Sequence, residues 1–136
     1  PMDLTALTIS EAASALQRGE FTAGAYAEAL LARATKAAAL NAFIYHDASQ
    51  VRAAAQVADA QRTRGAKPGA LHGIPLALKD NLDTAGIATT AGTPGLRSNR
   101  PVRNAPIVQK LIDAGVTVSV DSIACSLAAI TVKVSP

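Results

Sequence analysis

The sequence is short of residue types on which many functional sites depend. Its 136 residues include no tryptophan, one cysteine (Cys125) and two histidines (His46 and His72). A single cysteine excludes an internal disulfide framework and a cysteine-rich zinc site, and two histidines make no metal cluster. Aromatics are few: Phe21, Tyr26, Phe43 and Tyr45. The net charge is only +3, the basic residues are scattered, and the Arg97, Arg100 and Arg103 triplet has no aromatic within it. Nucleic-acid binding draws on a basic stripe, and single-strand binding adds stacking aromatics, so no nucleic-acid partner is expected. No apolar run approaches the roughly 18 residues of a membrane-spanning helix. No basic segment leads into an apolar one at the N-terminus, so no signal peptide is expected either. A cytoplasmic protein without membrane contact is the expectation. Pro1 ahead of Met2 reads as an added residue and is left out of the fold.

Alanine dominates what is present. Of the 49% hydrophobic residues, 31 are alanines, which leaves 36 larger apolar side chains. Alanine favours helix but buries little area, so the core is expected to be thin for the length.

Residues 4–39 read as two helices. Thr8 and Glu11 have capping-box spacing, Ile9, Ala12, Ala13 and Leu16 recur at helical intervals, and Gly19 is a stop signal. Thr22 can cap the second helix, with Tyr26, Leu30 and Ala34 as one stripe and Leu31 beside it. Asn41–Tyr45 reads as a short strand, and Ala48 to Arg64 as a third helix ended by Gly65. Leu71–Leu78 has the character of a buried strand and runs into Lys79-Asp80-Asn81. Asp83 to Pro106 is a long loop rich in glycine, threonine and proline; loops of that length are usually functional or packed against something large. Asn104 can cap a helix from Ala105 to Ala114 with Pro106 in its first turn, and Val116–Val120 reads as a further strand. Strands alternating with helices predict an α/β fold with a largely parallel sheet. Three strands are few for such a sheet, which suggests an incomplete one.

Lys79 is the most informative position. At a strand end among buried neighbours, a lysine can lose its proton by desolvation and act as a base, with Asp80 and Asn81 to hold it. The alternative is a lysine that snorkels to solvent. Thr89-Thr90-Ala91-Gly92 can line a site or form a tight turn. His72 and His46 read as structural, and Cys125, with no His or Lys neighbour, as a buried inert thiol.

Leu71-His-Gly-Ile-Pro-Leu-Ala-Leu-Lys-Asp-Asn-Leu-Asp-Thr-Ala-Gly86, followed by Thr89-Thr-Ala-Gly-Thr-Pro94, resembles the amidase signature family. The chain looks most like its arylacetamide-type members, the indoleacetamide and mandelamide hydrolases. The resemblance covers about residues 4–118 as a single segment, the N-terminal portion of an amidase domain, with an atypical tail over 119–136. It implies the N-terminal part of an α/β/α layered fold with a mixed, largely parallel sheet. It implies hydrolysis of a small amide to acid and ammonia by a Ser–cis-Ser–Lys triad, in which Lys79 matches the lysine and no metal or cofactor takes part. The two serines of the family lie in a Gly-Gly-Ser-Ser-Gly-Gly-Ser-like stretch and just before it. This sequence has no such stretch, and Ser122, Ser126 and Ser135 do not match it. Where the family runs into Gly-Lys-x-Asn-x-x-Glu, the tail reads Val120-Asp-Ser-Ile-Ala-Cys-Ser126. With one triad member of three, the isolated chain is expected to be inactive, and to self-associate or await a missing C-terminal portion. The complete enzyme is expected to be a homo-oligomer. Two alternatives are a non-catalytic α/β interaction module and a subunit of an amidotransferase.

Overall fold

The computed structural model of the protein describes residues 2–66 and 68–123. Cys125, Ser126 and Ser135 lie outside the described residues. Helix α1 spans Ile9–Arg18, α2 Ala23–Lys36, strand β1 Phe43–Tyr45, α3 Ala48–Thr63, β2 Pro75–Lys79, α4 Pro106–Asp113 and β3 Thr117–Ile123.

The helix ends follow from local chemistry. At α1 the Glu11 amide donates to Thr8 Oγ1 (3.2 Å), and the Thr8 amide donates to Glu11 Oε2 (2.8 Å). Two of the orphan donors of a helix start are thereby satisfied. Gly19, at φ +73°, closes α1 in the left-handed region that glycine enters without steric cost. Thr22 Oγ1 accepts from the Ala25 amide at the start of α2. Two more amides of that first turn, those of Ala23 and Gly24, donate to the carboxylate of Asp59 at 2.8 and 2.9 Å. That acid sits on α3, 36 residues from Ala23, so it ties the start of α2 to the body of α3.

The core between these helices is built largely from small side chains. Ala12, Ala27 and Ala55 are completely buried, and Ala23, Ala58, Leu16, Tyr26, Leu31, Val51 and Ile74 complete the cluster. Small residues let α2 and α3 approach closely, and Phe21 adds a tilted ring contact with Tyr26 at 5.6 Å.

The three strands form one mixed sheet in the order β1-β3-β2. β2 and β3 are parallel, with α4 in the connection between them, while β1 runs antiparallel to β3. Helix α3 packs against β3. The segment before β2 is pinned to the end of α4. Leu71 donates to the Ala114 carbonyl (3.0 Å) and Gly73 to that of Gly115 (3.3 Å). A Cβ on Gly69 would stand 2.3 Å from the Ala114 oxygen, so that approach requires glycine.

Three expectations are adjusted. The strand expected from Leu71 begins only at Pro75, because residues 71–73 are spent on the turn that bonds to α4. The strand expected from Asn41 begins at Phe43, since Asn41 is in the left-handed conformation, φ +47°. Asn104 does not cap α4. Its side-chain oxygen accepts from the Ala85 amide (2.8 Å) and its side-chain nitrogen donates to Gln109 Oε1 (2.9 Å). Ala105 occupies the cap position, and Pro106 supplies the preset φ for the first turn.

Candidate active site

The site is built at the C-terminal end of β2, where open α/β sheets commonly place their chemistry. Leu78 and Asp80 are 5% exposed, whereas Lys79 between them is an exposed residue. Lys79 is the last residue of β2, and Asp80 opens the turn that follows it. The buried neighbours are as expected from the sequence. The apolar enclosure expected around the lysine itself is not built by the described residues. Backbone bonds hold the strand end in place: the Lys79 carbonyl accepts from the Leu82 amide (3.0 Å).

Asp80 organises the surroundings. Its carboxylate accepts from the Thr90 amide (2.8 Å) and from the Thr90 hydroxyl. Its carbonyl accepts from the Ala91 amide (2.8 Å). Thr89-Thr90-Ala91-Gly92 is thus a tight turn bonded to the residue that follows β2. Ala91 sits at φ +48° and Gly92 at φ +73°. For alanine that is a strained conformation, held by the bonds to Asp80.

The long loop from Asp83 to Ala105 is stitched back on itself. Gly86 donates to the Pro101 carbonyl (2.9 Å), Thr89 to that of Asn99 (3.0 Å) and Ala105 to that of Asp83 (2.8 Å). Asn99 Nδ2 returns a bond to the Thr89 carbonyl (3.1 Å). A cavity of about 10 Å³ lies where Lys79, Asp80 and Thr89 meet Ile87. That is room for about one water molecule, not for a substrate. The described residues therefore form an ordered shelf that carries an exposed amine.

His72 and His46 play other parts. His72 Nε2 is 2.9 Å from the Ala58 carbonyl, bridging the turn before β2 to α3. His46 stacks on Phe43 with ring centroids 5.2 Å apart. Among the described residues no group of three His, Cys, Asp or Glu side chains could hold a metal ion, and no helix is long and apolar enough to cross a membrane. Ser122 lies on β3 in register with Leu78 of β2.

Comparison with known proteins decides the family. The model of the Amidase family matches residues 25–133, most of the chain and past the segment on which the motif lies. The chain belongs to the amidase family. Its relatives include a glutamyl-tRNA(Gln) amidotransferase component from Chloroflexus aurantiacus, 41% identical over 83% of this chain and 23% of the relative. They also include the mandelamide hydrolase of Pseudomonas putida, 37% identical over 87% of this chain and 23% of the relative. Among solved structures, the native peptide amidase of Stenotrophomonas maltophilia superposes with a TM-score of 0.76 at 31% identity, over 87% of this chain and 24% of that one. The chain therefore has the α/β amidase-signature fold over its described residues, and it spans about a quarter of the length of the curated relatives it matches.

The sequence identified Lys79 and both halves of the motif, but not what joins them. Asp80 and Thr90 are ten residues apart, and the hydrogen bonds between them explain why the Lys-Asp and Thr-Thr-Ala-Gly strings occur together at that interval. The available signal was an acidic residue leaving a strand, followed ten residues later by small hydroxyl residues and a glycine.

Proposed function

We propose that this amidase segment supplies the base of a Ser–cis-Ser–Lys amide hydrolase, with Lys79 as that base. The observation that carries the reading is the presentation of the Lys79 amine at the C-terminal end of β2, beside a turn locked in place by Asp80. In this mechanism a serine oxygen adds to the amide carbonyl carbon, while its proton passes through the cis-serine to the neutral lysine amine. The tetrahedral intermediate collapses as the C–N bond breaks, and the proton goes to the departing nitrogen. Water then attacks the acyl-serine, releases the acid and restores the serine. Both serines belong to polypeptide with the Gly- and Ser-rich stretch that this sequence lacks, so residues 4–118 form one piece of the catalytic domain. The 136-residue chain alone is inert in this reading. The missing enclosure around Lys79 is also that polypeptide's contribution, since a catalytic lysine needs burial to act as a base near neutral pH.

The substrate we propose is a small primary amide of the arylacetamide type, supported by the 37% identity to mandelamide hydrolase. A second reading, the glutaminase step of an amidotransferase, is favoured by the 41% identity to the Chloroflexus aurantiacus amidotransferase component. The test is a chimera in which residues 25–118 replace the matched segment of the Pseudomonas putida mandelamide hydrolase. The chimera is expected to hydrolyse mandelamide, and Lys79→Ala to lower kcat by about 10³-fold or more. Unchanged turnover in Lys79→Ala would remove the catalytic assignment. Turnover of glutamine in preference to mandelamide would favour the second reading.

A further inference from the structure

Asp80 is buried, acidic and next in sequence to the proposed base, yet the hydrolytic mechanism assigns it no step. Its setting is specific. Asp80 follows the exposed Lys79 that ends β2 and is itself 5% exposed, at the first position of the turn. There it accepts from both the amide and the hydroxyl of Thr90, and its carbonyl accepts from Ala91. Three bonds from one residue thus fix a turn whose second half, Ala91 and Gly92, runs through two successive left-handed conformations. Alanine does not hold φ +48° unaided, so the turn depends on these bonds. Thr89, the preceding residue, is buried and shares the small cavity with Lys79 and Asp80.

We propose that Asp80 is a positioning residue of this site: through Thr90 it locks the 89–92 turn onto the end of β2 and so fixes the place from which Lys79 acts. The proposal rests on the reading of Lys79 as the base. A buried carboxylate that takes two hydrogen bonds from one threonine is a rigid latch, because the amide and the hydroxyl fix that residue at two points. The hydroxyl bond has no backbone substitute, so the latch is specific to Thr or Ser at position 90.

Three measurements test it, two of them on the 136-residue chain. In the unaltered protein, amide hydrogen exchange is expected to protect Thr90 and Ala91 at least 100-fold over unstructured rates. Exchange at unstructured rates would overturn the latch without any variant. Next, acylation of each lysine by an N-hydroxysuccinimide ester is followed by mass spectrometry, with exposed Lys36 and Lys110 as internal references. Relative to the references, the Lys79 rate is expected to change at least threefold in Thr90→Val and to return in Thr90→Ser. A Lys79 rate unmoved by Thr90→Val, with the reference rates also unmoved, would overturn the proposal. If Thr90→Val unfolds the chain, all lysines shift together; Asp80→Asn, which keeps the shape and one acceptor, then takes its place with the same expectation. In the mandelamide chimera, Thr90→Val is expected to lower kcat at least tenfold with KM unchanged. Full turnover in Lys79→Ala would sink the reading of the base and leave the latch standing. Loss in Lys79→Ala with wild-type kcat in Thr90→Val would sink the latch alone.

Discussion

The helical region, residues 4–63, and the strand-and-loop region, residues 71–113, are held together by different means. The first is held by burial: Ala12, Ala27 and Ala55 are fully buried, and Leu16, Tyr26 and Leu31 pack around them, with Ile74 of the second region in the same cluster. The second buries few side chains, among them Leu78 and Val108, and leaves Val102 90%, Ile107 51% and Leu96 42% exposed. Its order comes from backbone and side-chain hydrogen bonds that cross the loop from Asp83 to Ala105. Hydrophobic burial is non-directional and tolerates small errors of position, whereas hydrogen bonds fix positions to a few tenths of an ångström. A scaffold is well served by the first and a catalytic shelf by the second. Exposed apolar side chains occur in both regions, with Leu40, Ile44 and Val57 half exposed in the first, so they do not set the two apart.

The contrast can be broken most strongly in the helical region. Tyr26→Ala removes the largest buried side chain of that cluster and is expected to cost about 3 kcal/mol, a fall in melting temperature of roughly 10 °C. Calorimetry checks it; a loss confined to the loop amides, with the helices intact, would reverse the roles assigned to the two regions. Asp59→Ala strips the α2 start of two charge-assisted bonds and is expected to cost about 2 kcal/mol in urea unfolding, with Asp59→Asn losing roughly half of that.

Ala91→Gly sharpens the contrast from the other side. Relief of the left-handed alanine outweighs the added freedom of the unfolded chain, for a net gain of about 0.5 kcal/mol. The helical amides are expected to show no local change in hydrogen exchange. The smallest effect is one of pH at α1. Hydrogen bonds from the Thr8 amide and hydroxyl hold the Glu11 carboxyl below the usual glutamate range. Its stabilisation is complete above that range and is lost as pH falls through the lowered value, because the unfolded chain takes up the proton first. The melting temperature of Thr8→Ala is therefore expected to converge on that of the unaltered chain as the medium is acidified. A constant difference across pH would show that Glu11 contributes nothing.

How far each region could be read in advance follows the same division. Helices α1 to α3 were legible because periodicity and caps involve residues no more than four apart, as with Thr8 and Glu11. The motif at the site was legible as two strings and a lysine. The bond between the strings was not, nor was the transfer of Asn104 from an expected cap to a brace on Ala85. Both depend on where the chain returns after ten or more residues.

By itself, then, the sequence determined the alternation of helices and strands, the small-residue core and the presence of Lys79 next to Asp80. Local sterics, apolar spacing and hydrogen-bond inventory are properties of neighbouring residues and need no fold to act. Only the tertiary structure decided that β1 joins β3 antiparallel while β2 joins it parallel, that Asp59 reaches the start of α2, and that Asp80 turns inward to Thr90 while Lys79 faces out. Each of those outcomes pairs groups that are distant in the chain, and a group's partner in space is set by the packing that brings the two segments together.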